Sequence, residues 1–376
     1  MDHAKNEFAC ILSAVDRSKE PAKVPLYEHF VDDQIIEQVL GVDFSRLFPE
    51  IDTAPGVLSE KPVADRLVPA YTGLWSKRLE FYRQLGYDYL PVEFPPLFSK
   101  SAALRANDTA LYSKGQRDWM DEHQGIIRSE ADLENPAFWP GAEDMFDYRM
   151  FDAISQLVPD DMKIIGGIAG GPFEHSLYLL GFEPLFLAMM ENRTLLDTLY
   201  SKLDRLFCEI TRRLSRRVMM GILRVGDDLG YKTGPMISLQ NLRRYVLPTY
   251  RRMAEIAHAA NRPFILHSCG NLETVMEDLI SYCRIDAKHS FQDVIEPIAE
   301  AKRRWGDRIA LLGGIDVDFL CRATPFQVKE QTKRTMAVCS QGGGFAVGSG
   351  SSVSNYVPVG NYLAMVEAVQ EYNGAA

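Results

Sequence analysis

The 376-residue chain has no run approaching the ~20 consecutive apolar residues that span a bilayer. Its opening stretch, MDHAKNEFACILSAVDRSKE, is too charged for a signal-peptide core, so a cytoplasmic protein is expected. Cysteine is sparse. Cys10, Cys208, Cys269, Cys283, Cys321 and Cys339 are scattered without a C-x-x-C pair, which is no disulfide framework and leaves them as reduced thiols, one of which could be a ligand. Basic charge is also short: 41 Lys and Arg against 51 Asp and Glu give a formal net charge of −10, which argues against nucleic acid and anionic membranes as partners. Several catalytic signatures are missing. GGIAGG and GSGSS are rich in small residues but do not fit G-x-G-x-x-G, and there is no Walker motif, no early H-x-H and no G-x-S-x-G elbow. Dinucleotide binding, P-loop chemistry and serine-type hydrolysis therefore lack their parts. What remains, with 46% hydrophobic and 24% charged residues, is a globular chain able to bury a large core.

Short apolar runs alternate with longer helical periods through the C-terminal two thirds, the pattern of βαβ units around a parallel sheet. Strands are predicted near residues 161–170, 220–227, 262–270, 284–290, 308–316 and 343–351, each ending in Gly, Ser, Asp or His. VPLYEHF and YDYLPVEF supply two earlier strands carrying Glu28 and Glu93, and eight βα units close into a (β/α)8 TIM barrel of this size. A doubly wound open sheet is the fallback. Leu196, Leu199, Leu203, Leu206 and Ile210 share one helical face, as do Leu272, Val275, Met276, Leu279 and Ile280. Ser238 and Thr324-Pro325 read as helix starts, and Pro248 should end or kink the helix that follows Ser238. No linker or repeat divides residues 1–376, so one domain is expected. It would comprise an N-terminal extension and first strand over 1–75 and a lid-like excursion over 95–150, too long for an ordinary βα connection.

The sharpest chemical feature is His267-Ser268-Cys269-Gly270 at a strand end. Side chains alternate along a strand, so His267 and Cys269 point to one face, where an imidazole and a thiolate can meet on one metal ion. H-x-C also arises by chance, and a buried Cys is usually a small hydrophobe. A second feature is Asp227-Asp228-Leu229-Gly230, where only one of the two aspartates can face the mouth while the other caps a turn or helix. Gly170-Gly171-Pro172-Phe173-Glu174-His175 is a strand-to-helix turn in which Glu174 either orients a ligand or complements the helix dipole. His175, His289 and Asp316 lie near strand ends and more often make structural hydrogen bonds than ligate.

Taken as an ordered set, GGPFEHSLYLLGFE, GDDLGYKTGPMISLQNLRRYVLPTYRRM, the run from Ile265 through HSCGNLETVMEDLI, LLGGIDVDFL with ATPFQV, and GSGSSVSNYVPVGNYLAMVEA resemble the uroporphyrinogen decarboxylase superfamily, which includes cobalamin-dependent methyltransferases. The resemblance implies a (β/α)8 barrel, usually a homodimer, with its site at the C-terminal mouth. The decarboxylases carry an arginine- and glycine-rich N-terminal segment that grips tetrapyrrole carboxylates. Here KVPLYEHFVDD offers Glu28, Asp32 and Asp33 instead, and like charge disfavours that substrate. The methyltransferase branch implies a zinc site of His and Cys on one strand, matched by His267 and Cys269, plus a Cys after the last strand. That third position falls where this chain has Ser349, Ser351 and Ser352. Asp228, Asp227, Glu93 or Glu174 could supply an oxygen in its place, making a harder Lewis acid better matched to an ether or alcohol oxygen.

The resulting expectation is a zinc-dependent methyltransferase moving a methyl group from a small methylated substrate, with an aromatic methyl ether as one candidate, to a corrinoid (cobalamin) held by a partner protein, because no D-x-H-x-x-G segment is present. Asp227, Asp228 and Glu174 are the catalytic candidates, and Glu28, Glu93, His289, Asp316, Ser349, Asn355 and Tyr356 the substrate-binding ones. The alternatives are a metal-free lyase using Asp227 or Asp228, and a non-catalytic tetrapyrrole or corrinoid binder.

Overall fold

A computed structural model describes residues 8–17, 19–51, 62–98, 103–107, 116–120, 125–135, 138–139 and 141–374. Seven strands, Tyr89–Phe94, Lys163–Ile168, Met220–Gly226, Phe264–His267, Ala287–His289, Ala310–Leu312 and Phe345–Ala346, form one parallel sheet. Their spatial order equals their chain order, with helices filling the crossovers. That arrangement makes a TIM-barrel-like fold, not a doubly wound sheet. The strands are short, mainly apolar runs buried on both faces, as a helix-covered parallel sheet requires; Met220–Gly226 is buried at every position, Arg224 included.

The eighth position is filled by residues 25–31, which meet the segment following the last strand through single parallel bridges, Leu26 to Val347 and Val31 to Val353. Tyr27 N donates to Val347 O at 2.8 Å, and Val347 N to Pro25 O at 3.0 Å. On the other flank one hydroxyl serves both backbone groups of Glu28: Glu28 N donates to Tyr89 Oη at 2.7 Å and Tyr89 Oη donates to Glu28 O at 2.8 Å. The predicted first strand is thus a seam of bridges. Below it, the N-terminal helix Phe8–Asp16 buries Ile11, Ala14 and Val15 against the strands Ala310–Leu312 and Phe345–Ala346.

The helix Arg193–Ser215 buries Leu196, Leu199, Leu203, Leu206 and Ile210 on one face, and Thr324 caps Pro325–Cys339 in a reciprocal box with Gln327. Two helices depart from the regular α form. Pro248 has no N–H to donate, and the turn preceding it, Leu242–Val246, widens into a π-helical turn before the α-helix Leu247–Ala259 resumes. The predicted face at Leu272, Val275, Met276 and Leu279 is buried, but on a turn leading into a second π-helical stretch, Asp278–Cys283, with Ile280 only partly buried. Within the 95–150 excursion, Ala103–Asn107 and Gln116–Met120 pair as an antiparallel hairpin; residues 99–102, 108–115, 121–124, 136–137 and 140 lie outside the described residues. Buried apolar side chains form one cluster. Among the described residues no helix is long and apolar enough to cross a membrane.

The closing seam is tight at Gly348, where an added Cβ would sit 1.7 Å from Tyr27 O. Gly348→Ala should therefore cost about 3 kcal/mol in urea unfolding, whereas Gly360→Ala, which has open space around it, should leave stability unchanged or slightly raised; equal effects would show that the seam does not limit the fold.

Candidate metal centre

The strand Phe264–His267 ends with His267 at the mouth, and Cys269 follows two residues later. The neighbouring strand is aligned by Asp227 N donating to His267 O at 2.9 Å, which places Asp228 beside both. Cys269 N donates to Asp228 Oδ1 at 2.8 Å. His267 Nε2 lies 3.6 Å from Cys269 Sγ and 3.8 Å from Asp228 Oδ1, and one ligand atom from each residue falls within 4.8 Å of the others. Tetrahedral coordination at zinc bond lengths separates ligand atoms by roughly 3.3–3.5 Å. Nitrogen, sulfur and oxygen donors are thus almost at coordination spacing. The cluster is half-open to solvent through Cys269 and Asp228, while His267 is buried.

Behind His267 a chain of hydrogen bonds sets which nitrogen carries the proton. The Ser349 carbonyl can only accept, so His289 Nε2–H donates to it at 3.1 Å. His289 Nδ1 is then an acceptor, and His267 Nδ1–H donates to it at 2.7 Å. His267 Nε2 is left as a bare lone pair facing Cys269 and Asp228, the arrangement a metal-binding imidazole needs. Burial disfavours the charged form of both rings, pushing His289 down to about 3 and His267 well below its ordinary value. Ser349 is anchored in turn by Glu28, whose carboxyl accepts from Ser349 N at 2.8 Å and from Ser349 Oγ. Burial lifts Glu28 to about 8, against the lowering effect of those two bonds.

The adjacent aspartates have different surroundings. Asp227 is fully buried, and its oxygens accept from Phe173 N at 3.0 Å, Glu174 N at 2.8 Å and Tyr250 Oη at 2.6 Å. It caps the helix Pro172–Leu180 and does not reach the cluster. Asp228 alone faces His267 and Cys269. Glu174 stays half-buried beside both aspartates, and burial first, then their charges, raise its carboxyl well above the usual range. His175 Nδ1 donates to Gly171 O at 3.0 Å, and burial lowers its ring to about 4.

The other predicted residues divide similarly. Asp316 caps Val317–Arg322 through Phe319 N at 3.1 Å and accepts from Asp293 N at 2.8 Å. Glu93 is bonded by the buried Arg224 guanidinium, which also reaches Tyr27 Oη at 3.3 Å; burial raises Glu93 despite that partner. Neither Glu93 nor Glu174 belongs to the cluster of His267, Cys269 and Asp228. Asn355 N donates to Asp32 Oδ2 at 2.8 Å, while its amide is buried with no partner among the described residues. Tyr356 is exposed.

Two residues at the centre of the barrel escaped the sequence reading. His29 stacks on His267 with ring centroids 3.9 Å apart, its Nε2 3.5 Å from Glu93. It forms a second close group with His267 and His289, but in that group the Nδ1 atoms of His267 and His289 are spent on each other. Arg224 was visible as the one charge inside an otherwise apolar strand, a signal of buried pairing.

A family model for uroporphyrinogen decarboxylase (URO-D) matches residues 127–372. The chain is 31% identical over 137 residues to a methylated-thiol–coenzyme M methyltransferase of Methanosarcina mazei, covering 36% of this chain and 34% of that one. It is 27% identical over 121 residues to a methylcobamide:CoM methyltransferase of Methanosarcina barkeri, again 34% of that protein. These matches span about a third of each relative's length. A uroporphyrinogen decarboxylase of Coxiella burnetii is 25% identical over 256 residues, 66% of this chain and 68% of that one. Among solved structures, a methyltransferase from Methanosarcina mazei shares the fold across 98% of this chain and 99% of its own, with a TM-score of 0.63 at 16% identity.

Glu28 carries a testable consequence. Its folded value, about 8, lies above the ordinary 4.5, so the folded protein retains a proton that the unfolded chain releases between those values, and stability falls as pH rises through that window. In metal-free protein the stability of wild type relative to Glu28→Gln should drop by up to about 4 kcal/mol between pH 5 and pH 8 in urea unfolding; a pH-independent difference would refute the buried, protonated carboxyl.

Proposed function

The chain belongs to the uroporphyrinogen decarboxylase family, and on that premise we propose that it is a zinc-dependent methyltransferase that moves a methyl group from a small methylated substrate to the corrinoid of a partner protein. The observation that carries this reading is the convergence of His267 Nε2, Cys269 Sγ and Asp228 Oδ1, with the imidazole tautomer arranged to leave Nε2 bare. Asp228 offers an oxygen in place of the cysteine that the resemblance calls for after the last strand, where this chain has Ser349, Ser351 and Ser352, and the donor set fits zinc with a fourth position left for substrate.

When bound, zinc supplies Lewis acidity at the substrate's methylated atom, and the corrinoid supplies the methyl-accepting centre. The chain's own residues prepare for both. His267 is held in orientation by His289 and Ser349. Burial and the Asp228 charge push the Cys269 thiol up to about 12, so it keeps its proton in the metal-free protein, and a bound divalent cation would displace that proton. One thiolate and one carboxylate balance a divalent charge, and an oxygen donor in place of a thiolate leaves a harder acid, suited to an ether oxygen. Burial and the two aspartate charges raise the Glu174 carboxyl well above its usual range, which suits it to donate a proton to a departing oxygen. An aromatic methyl ether is the donor class this combination favours.

The longer match to uroporphyrinogen decarboxylases favours a second reading, a metal-free lyase. One experiment separates the two. Protein purified from zinc-supplemented medium should carry about one zinc per chain by elemental mass spectrometry. His267→Ala, Cys269→Ala and Asp228→Ala should each weaken binding by at least tenfold, and Asp227→Asn should keep the stoichiometry. Metal-free wild type, or lyase activity that survives Cys269→Ala, would overturn the methyltransferase reading.

A further inference from the structure

Lys288 occupies the middle of the strand Ala287–His289, where alternation turns it away from the face of His289. It is 4% exposed. Its Nζ donates to Ser290 O at 2.5 Å and lies 4.3 Å from the centroid of the Phe291 ring. Among the described residues it forms no ion pair with a carboxylate. A buried ammonium ordinarily has such a partner, because desolvation is costly without one. Burial lowers Lys288 to about 8, which still leaves it mainly charged at neutral pH.

Beside it lies a cavity of about 120 Å³, lined among others by Lys288, Ser290, Asn271, Gln292 and Arg304 and by the carboxylates Glu273, Glu296 and Glu300. The three carboxylates have guanidinium partners, Glu273 at 2.7 Å and Glu296 at 2.9 Å from Arg304 and Glu300 on Arg303, so Lys288 is the lining cation outside an ion pair, although the charges of Glu296 and Asp228 reach it. The space equals about four waters by volume, enough for a carboxylate and its adjoining carbons. The cavity borders the metal cluster across a single residue: Ser290, which lines it, places its Oγ 3.7 Å from Cys269 Sγ.

We propose that this cavity is a subsite for a carboxylate carried by the methylated substrate, seated on Lys288 Nζ with the side-chain amides of Asn271 and Gln292 as neutral donors. The substrate is then a methylated carboxylic acid, one end at the cluster and the other at Lys288. This rests on the methyltransferase reading for the substrate's methyl group, but the subsite itself can be tested without metal or turnover.

The test is calorimetric titration of metal-stripped protein with propionate, propionamide and inorganic phosphate. Propionate should bind at least tenfold more tightly than propionamide and than phosphate. Lys288→Met should abolish that preference and Lys288→Arg should retain part of it, both with wild-type zinc content when reloaded. Equal binding of propionate and propionamide, a preference that persists in folded Lys288→Met, or tighter binding of phosphate would each overturn the proposal. The wild-type comparison stands even if Lys288→Met does not fold. Propionate selectivity in a protein that takes up no zinc would leave the subsite in place and remove the metal reading alone.

Discussion

The contact between Glu28 and Ser349 governs both the closure of the barrel and the state of its candidate metal ligand. Glu28 belongs to the bridging segment that stands in for a first strand, and Ser349 follows the last strand, so their two hydrogen bonds tie the seam where the sheet meets itself. The carbonyl of the same serine receives the His289 proton, which determines the His267 tautomer two rings away. A shift of the seam would therefore disturb the donor set as well as the fold. Because the seam has few backbone bridges, the buried carboxyl does work that a full ladder does elsewhere in the sheet.

Polar groups deep in a barrel must be paired, and here pairing divides adjacent residues between structure and chemistry. Asp227 spends its oxygens on a helix start and a tyrosine, whereas Asp228, one residue later, keeps an oxygen for the cluster. His289 is used up in orienting His267. Arg224 and Glu93 neutralise each other beneath the site, and His29 covers the inner face of His267. At the mouth the bare Nε2 of His267, the Cys269 thiol and the Asp228 carboxylate keep capacity for a ligand.

Local physics made much of this legible in advance. Apolar runs with turn residues marked the strands, and the step of two along a strand placed His267 and Cys269 on one face. Capping chemistry located the helix starts at Ser238 and Thr324, and the missing N–H of Pro248 foretold an irregular helix. Each of these depends on residues within a few positions of one another. The first strand was less legible because its pairing is with a segment more than 300 residues away, and a bridge leaves no periodic trace.

The sequence by itself determined the parallel βα architecture, the shared face of the H-x-C pair and the rule that only one of two neighbouring aspartates can face the mouth. The tertiary structure alone decided which aspartate that is, that His29 stacks on His267, that Glu93 is committed to Arg224, and which nitrogen of His267 is bare. The reason is physical. Alternation and capping are set by bond geometry along the chain, whereas these contacts join residues far apart in sequence, from His267 and His289 to His29 and His267, and exist only once strand register and barrel closure bring their ends together.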